Sequence, residues 1–341
     1  MRNLPRCRAL RLVDLSLAAI LALALAVGAP AAATEAPAGP APLSLVAAAP
    51  TPRDQAFDIV DLDWHDAARD RAVPARLYWP RTSPGSPIPL VVFSHGIGGS
   101  RTGYSYLGQY WASHGFASLH VQHVGSDRQL WGGNVFSLLF RLQQAAQDGE
   151  AIDRVRDVSF ALDRILDSER GPRIDRARVV AAGHSYGANT ALLAAGARVS
   201  REGRQLQLRD PRFTAAILIS APPFYGETDF APILADVHIP TLHVTATDDV
   251  IEIPGFHSPA SDRVKVFDAT GSRLKVLAMF EGGSHSMFTD RRRTGDQAPQ
   301  VKAATQALSV AFLRRAFEGA EDALATWNAS YRGLVARYVV N

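Results

Sequence analysis

The residues with the clearest chemical meaning are Gly183-His184-Ser185-Tyr186-Gly187. They follow the short apolar run Val179-Val180-Ala181-Ala182 and precede a small-residue helical stretch through Leu192-Leu193. A G-x-S-x-G pentapeptide between a strand and a helix is a nucleophile elbow, a sharp turn that exposes a serine hydroxyl. The glycines let strand and helix approach without colliding side chains, and the helix N-terminus favours negative charge developing nearby. The chemistry expected of Ser185 is therefore nucleophilic attack, which needs a base, an acid that orients the base, and donors for an oxyanion.

Each of these has candidates. Ser94-His95-Gly96-Ile97-Gly98-Gly99 follows the apolar run Leu90-Val91-Val92-Phe93. A His-Gly loop after an early strand suits one oxyanion N–H, and the residue after the nucleophile supplies the other. The expected donors are the backbone N–H groups of Ile97 and Tyr186, with His95 shaping the loop. The loop lacks the G-x-G-x-x-G spacing and the Lys-Ser/Thr pair of phosphate-binding loops. Downstream, Ala246-Thr247-Asp248-Asp249 and Glu281-Gly282-Gly283-Ser284-His285 each follow a strand-like run. His285 is the expected general base. Asp248 and Asp249 compete for the acid, and the other aspartate would brace the turn. His120-x-x-His123 resembles a metal pair, but strand spacing would put the two on opposite faces, with no third ligand nearby.

The elements that must position these residues alternate between the two periods. Phe57–Asp63 and Ala75–Trp79 read as an early, antiparallel strand pair. Leu90–Phe93, Phe116–Val121, Val179–Ala182, Ala215–Ile219, Thr241–Thr245 and Leu274–Phe280 read as further strands, the last of these closing the set. Helices are expected over Tyr104–His114, Glu150–Glu169, from Ser185 onward, and over Val301–Phe317. Strands alternating with amphipathic helices imply an α/β fold, a mainly parallel central sheet with helices on both faces. The stretch 122–149 is insertion-like. Its Trp131, Phe136, Leu138, Leu139 and Phe140 could cover the site, line a pocket, or pack as an ordinary helix.

The chain has 341 residues, 47% apolar and 20% charged, the composition of a globular protein. Arg2, Arg6, Arg8 and Arg11 precede an apolar run from Leu15 to Val27, and Ala31-Ala32-Ala33 offers a cleavage site. This is the layout of a secretory signal peptide, and the apolar run is short for a membrane span. The expected organisation is a signal over 1–33, an Ala/Pro-rich linker over 34–55, and one domain over 56–341. The protein is expected to be exported, to the periplasm or beyond, without stable membrane insertion after cleavage. The single cysteine, Cys7, lies in the leader, so the mature chain would have neither disulfides nor thiolate chemistry. Removing 1–33, with four arginines and one aspartate, takes the net charge from +3 to zero. That balance gives no support to a nucleic-acid partner. Arg291-Arg292-Arg293 reads as a solvated loop.

From Pro89 to Phe317 the chain resembles the α/β-hydrolase superfamily. Within it, the chain is similar to predicted dienelactone-hydrolase-like proteins and to the platelet-activating-factor acetylhydrolase-like group. The resemblance rests on Pro89–Gly99 and Gly183–Gly187. Acid turns of this family often read G-T-x-D; here Ala246 replaces the glycine, and the register aligns Asp249 with the acid. Dienelactone hydrolases use a cysteine where this chain has Ser185, which leaves the fold expectation standing but not that substrate. The resemblance implies hydrolysis of a small or lipid-like carboxylic ester through Ser185, His285 and Asp249, without a metal or organic cofactor. The elbow alone would equally suit an amidase or peptidase, and the fold alone a catalytically silent binding protein.

Overall fold

The computed structural model describes residues 56–341, except 82–84, 133, 202, 225, 254–255 and 291–296. The expected leader and linker, and the Arg291-Arg292-Arg293 cluster, lie outside the described residues.

The strands are β1 (Phe57–Asp66), β2 (Arg71–Pro80), β3 (Ile88–Ser94), β4 (Ala117–Val121), β5 (Ile174–His184), β6 (Ser200–Arg201), β7 (Arg204–Gln205), β8 (Ala215–Ile219), β9 (Thr241–Asp248), β10 (Ile251–Ile253), β11 (Phe256–Ser258), β12 (Lys275–Ser284) and β13 (Val335–Val340). The helices are α1 (Ser105–Ser113), α2 (Val135–Ala145), α3 (Asp148–Leu166), α4 (Tyr186–Ala195), α5 (Ala231–Leu234), α6 (Ser261–Ala269), α7 (Ala298–Glu318) and α8 (Glu321–Tyr331). Among the described residues, nine strands form one sheet in the order β1-β2-β4-β3-β5-β8-β9-β12-β13. The six from β4 to β12 pair in parallel. β1, β2 and β13 pair antiparallel.

The sheet is buried on both faces because its strand residues alternate between two cores. Leu90 and Val92 of β3, Val179 and Ala181 of β5, and Ala216 and Leu218 of β8 face one core, with Val155, Val158 and Leu162 of α3. Val91, Phe93, Val180, Ala182, Ile217 and Ile219 face the other, with Leu107 and Trp111 of α1 and Leu308 and Phe312 of α7. Helices thus cover both faces. Where apolar residues run without interruption, as in β3 and β8, every position is buried.

Three expectations need correction. β12 is not the last strand: β13 pairs antiparallel with it after α7 and α8. β13 escapes a reading by pattern because its residues are half-buried or exposed, as expected of an edge strand. The first two strands run longer than their apolar cores suggest, in register from Phe57↔Pro80 to Asp66↔Arg71, where a tight turn ends them. The third α-helix starts at Asp148 and stops at Leu166, three residues before Glu169.

The close approach of α4 to the sheet sets the local geometry. A Cβ at Gly187 would lie 1.9 Å from the Ser94 carbonyl oxygen, and one at Gly183 would lie 2.2 Å from the Gly187 carbonyl. Both obstacles are backbone, which cannot rotate away. Gly187→Ala is predicted to lower unfolding stability by about 1–3 kcal/mol or more, the cost of overpacking a rigid contact. Gly149→Ala, whose Cβ would meet nothing within 4 Å, is the control. It should be neutral or slightly stabilising, as alanine is the better helix former. Urea denaturation compares the two; equal midpoints would contradict the steric account.

Candidate active site

β5 ends at His184 and α4 begins at Tyr186, so Ser185 alone carries the reversal. Its backbone sits at φ 55°, ψ −123°, a conformation that costs an L-residue about 1–3 kcal/mol. Its N–H donates to the Ile219 carbonyl at 2.9 Å, which ties the turn to the neighbouring strand. Ser185 is 7% exposed, and its Oγ lies 2.8 Å from His285 Nε2.

His285 opens the helical turn His285–Phe288 directly after β12. Gly282 and Gly283 reach it with φ of 66° and 85°. At Gly283 the left-handed backbone favours glycine, and a Cβ there would also press on the end of the Met287 side chain. The Gly282 N–H donates to Thr247 Oγ1 at 2.8 Å, which links the histidine loop to the aspartate loop.

Asp249 follows β9 and is fully buried. Its Oδ1 lies 2.7 Å from His285 Nδ1, and its Oδ2 accepts from Thr245 Oγ1 at 2.7 Å. Burial alone would raise its pKa. The hydrogen bond and charge of His285, with the charge of Arg263, outweigh burial and hold the carboxyl well below the usual carboxylate range. An ionised Asp249 accepts a hydrogen bond from His285 Nδ1–H, which leaves His285 Nε2 as an acceptor facing Ser185. Asp248, the rival candidate, is exposed, and among the described residues its carboxylate accepts only from the Thr247 hydroxyl, at 3.4 Å.

The glycine loop after β3 sits against this group. A Cβ at Gly96 would lie 3.3 Å from the Ser185 Cβ. Among the described residues, the Ile97 and Tyr186 N–H groups have no hydrogen-bond acceptor. His95 is buried and holds the loop: its Nδ1–H donates to the Gly96 carbonyl at 2.7 Å, and its Nε2 accepts from the His123 N–H at 3.1 Å. Burial, with the charge of Arg154, pushes the His95 pKa far down, so the ring is neutral and the tautomer is set. Trp131 of the insertion lies over this loop, half-exposed, and donates from its indole to the Gly98 carbonyl at 2.9 Å. Phe140 on α2 is 61% exposed. The two histidines of the apparent metal pair are separately engaged. His120 stacks on Phe93, and His123 bonds to Asp157 at 3.1 Å.

Several residues at the site carry no signal in the sequence. Tyr104, at φ 56°, brings its hydroxyl to 2.8 Å from His184 Nδ1. His184 Nε2–H donates to the His285 carbonyl at 3.0 Å. Burial, then the charge of His285, lowers the His184 pKa to about 3, so it remains a neutral bridge between the elbow and the histidine loop. Arg263 on α6, 3% exposed, lies behind Asp249 with Nη2 3.6 Å from Oδ1. Only the elbow position of His184 could have hinted at any of these.

The sheet order, an antiparallel start followed by parallel strands crossed over at β4-β3, is that of a known architecture. The chain has the α/β-hydrolase fold. The profile of the family described as platelet-activating factor acetylhydrolase, isoform II, matches residues 70–129, from β2 through the glycine loop to β4. The chain is 26% identical over 262 residues to a platelet-activating factor acetylhydrolase of Cavia porcellus, covering 64% of this chain and 52% of that protein. It is 32% identical over 143 residues to that of Canis lupus familiaris, covering 32% of each. The matched part thus spans about half or less of these relatives. A cold-adapted esterase from an Arctic intertidal metagenomic library, solved with polyethylene glycol bound, aligns with TM-score 0.49 and 19% identity, over 69% of this chain and 88% of its own.

The charge on Asp249 has a consequence for stability. Its folded pKa lies below the unfolded value of about 3.9. Its contribution is therefore complete above that value and is lost as pH falls through the folded one. Asp249→Asn is predicted to shrink the stability difference between pH 7 and pH 3. Denaturation midpoints at the two pH values measure it, and an unchanged difference would contradict the assignment of charge.

Proposed function

We propose that the protein is a serine hydrolase that cleaves carboxylic esters, with Ser185 as nucleophile, His285 as general base and Asp249 as the orienting acid. The observation that carries this reading is the continuous chain Asp249–His285–Ser185, with bonds of 2.7 and 2.8 Å, beside the Ile97 and Tyr186 N–H groups, which have no acceptor among the described residues. His285 Nε2 takes the Ser185 proton as Oγ attacks the ester carbonyl carbon. The oxyanion is received by the Ile97 and Tyr186 N–H groups, and Asp249 stabilises the imidazolium. Collapse breaks the ester C–O bond, and His285 returns its proton to the leaving alcohol. Water, deprotonated by His285, then hydrolyses the acyl-enzyme. No step calls for a metal or an organic cofactor. An ester substrate, small or lipid-like, fits the acetylhydrolase relatives.

Export is part of the same proposal. It rests on the basic leader, the apolar run and Ala31-Ala32-Ala33. Among the described residues no helix is long and apolar enough to cross a membrane. The exported protein should begin near Thr34 by intact mass. A mass that still includes Met1–Ala33 would contradict cleavage.

Hydrolysis of p-nitrophenyl esters tests the chemistry, with anilides run alongside. Ser185→Ala should lower turnover by about a millionfold with an unchanged unfolding midpoint. Asp249→Asn should lower it by up to about ten thousandfold, and Asp248→Asn only slightly. Wild-type turnover in Ser185→Ala would refute the nucleophile. A large defect in Asp248→Asn alone would move the acid by one residue. Faster cleavage of anilides than esters would make the enzyme an amidase.

A further inference from the structure

Beneath the site lies a cation that no step above uses. Arg154, on α3, is completely buried. A guanidinium can only donate, so every group around it must accept. Its Nε donates to Thr190 Oγ1 at 3.0 Å and its Nη1 to Ser126 Oγ at 2.7 Å. Its Nη2 donates to Ser94 Oγ at 3.0 Å and to the His95 carbonyl. The Tyr186 ring lies over the guanidinium, 4.4 Å from centroid to Cζ. Three segments distant in sequence are thus gathered on one side chain.

The donor-only character of Arg154 sets the direction of the surrounding bonds. Each hydroxyl that accepts from it sends its own proton outward. Ser94 donates to His123 Nε2 at 2.8 Å, Ser126 to Glu150 Oε1 at 2.6 Å, and Thr190 to the Tyr186 carbonyl at 3.0 Å. His123 then donates from Nδ1 to Asp157 Oδ2 at 3.1 Å. Ser94, His123 and Asp157 have the residue types of a second triad, but all three are buried and Ser94 Oγ is already engaged by Arg154. They hold structure and have no access to substrate.

The segments gathered by Arg154 carry both oxyanion donors. On one side, Arg154 fixes the His95 carbonyl, and the His95 ring fixes the Gly96 carbonyl at 2.7 Å. A trans peptide is planar, so a pinned Gly96 carbonyl aims the Ile97 N–H in the opposite direction. On the other side, Thr190 pins the Tyr186 carbonyl while the Tyr186 ring rests on the guanidinium. We propose that Arg154 is a positioning residue that sets the spacing and aim of the Ile97 and Tyr186 N–H groups. This rests on the ester-hydrolase reading above. Arg154 touches no reacting atom and acts only through these two backbone segments.

Arg154→Lys keeps the charge, but one ammonium cannot reach four separated acceptors. The measurement is turnover per active site, with sites counted by fluorophosphonate titration. It is paired with the affinity for a trifluoromethyl ketone. Ser185 Oγ adds reversibly to the ketone carbon, its proton passes to His285, and the carbonyl oxygen becomes an oxyanion in the hole. Losing one oxyanion donor costs about a hundredfold to a thousandfold in turnover. Arg154→Lys should therefore lose about a hundredfold in kcat per titrated site, with KM within about threefold. Ketone affinity should fall in parallel with kcat/KM. A purely structural role would reduce the titrated fraction and the unfolding midpoint while leaving per-site turnover and ketone affinity at wild-type values, and that result overturns the proposal. If Arg154→Lys does not fold, the double variant Ser126→Ala with Thr190→Val removes two of the four acceptors and retains the cation. It should lose about tenfold in both quantities, a fraction of the full-donor effect, and wild-type values there overturn the proposal. A wild-type protein that neither hydrolyses esters nor binds the ketone would instead refute the ester-hydrolase reading, and this inference with it.

Discussion

The backbone of α4 passes so close to the end of β3 that a single methyl group at residue 187 would collide with the Ser94 carbonyl. That contact decides where everything else in the site can be. It forces the chain to turn on one residue, and Ser185 takes the turn at φ 55°. It also brings the Tyr186 N–H, at the start of α4, to the same place as the loop that leaves β3. The strain at Ser185 persists because strands on either side over-determine it: its N–H is held by Ile219, and both flanking glycines are wedged against backbone. Ser220 repeats the positive φ one strand over, at 52°, with its N–H on the Val244 carbonyl at 2.7 Å.

Around this turn, charge is arranged in two layers. The upper layer is the hydrogen-bonded row from Asp249 through His285 to Ser185, backed by buried Arg263. The lower layer is Arg154, with Glu150 and Asp157, which are themselves paired with Arg71 at about 3 Å. Buried ions are costly unless paired and fully hydrogen-bonded, and removing one partner leaves the other stranded. Such a framework is therefore stiff. Its neutral histidines contribute to this: His95 and His184 are each held between fixed donors and acceptors on both ring nitrogens. Stiffness suits a site whose proposed work is to hold hydrogen-bond donors where charge will develop, because no reorganisation is then needed as the reaction proceeds.

Much of this was legible in the sequence where the signal is local. The parallel strands announce themselves as uninterrupted apolar runs, and the elbow as five residues between a strand and a helix. Ser185 and His285 could be proposed from their places just past strand-like runs, whereas the run ending at Thr245 left Asp248 and Asp249 open and only the family register favoured Asp249; the structure brings Ser185, His285 and Asp249 together. What stayed hidden depends on contacts across the chain. Arg154 lies on an amphipathic helix, where an arginine reads as part of the solvated face; only the tertiary fold turns it under Ser94 and Tyr186. Tyr104 and Arg263 are 80 residues from His184 and 14 from Asp249 in sequence, and no spacing rule joins them. The edge strand β13 has too little burial to leave a pattern.

The nucleophile is the claim on which the rest stands, and covalent labelling tests it directly. The protein is treated with a fluorophosphonate, then digested, and the modified peptide is mapped by mass spectrometry. The account predicts a single phosphonyl group on Ser185, formed rapidly in the wild-type protein and far more slowly in His285→Ala. Labelling at another serine, or no labelling of a folded protein, would contradict it.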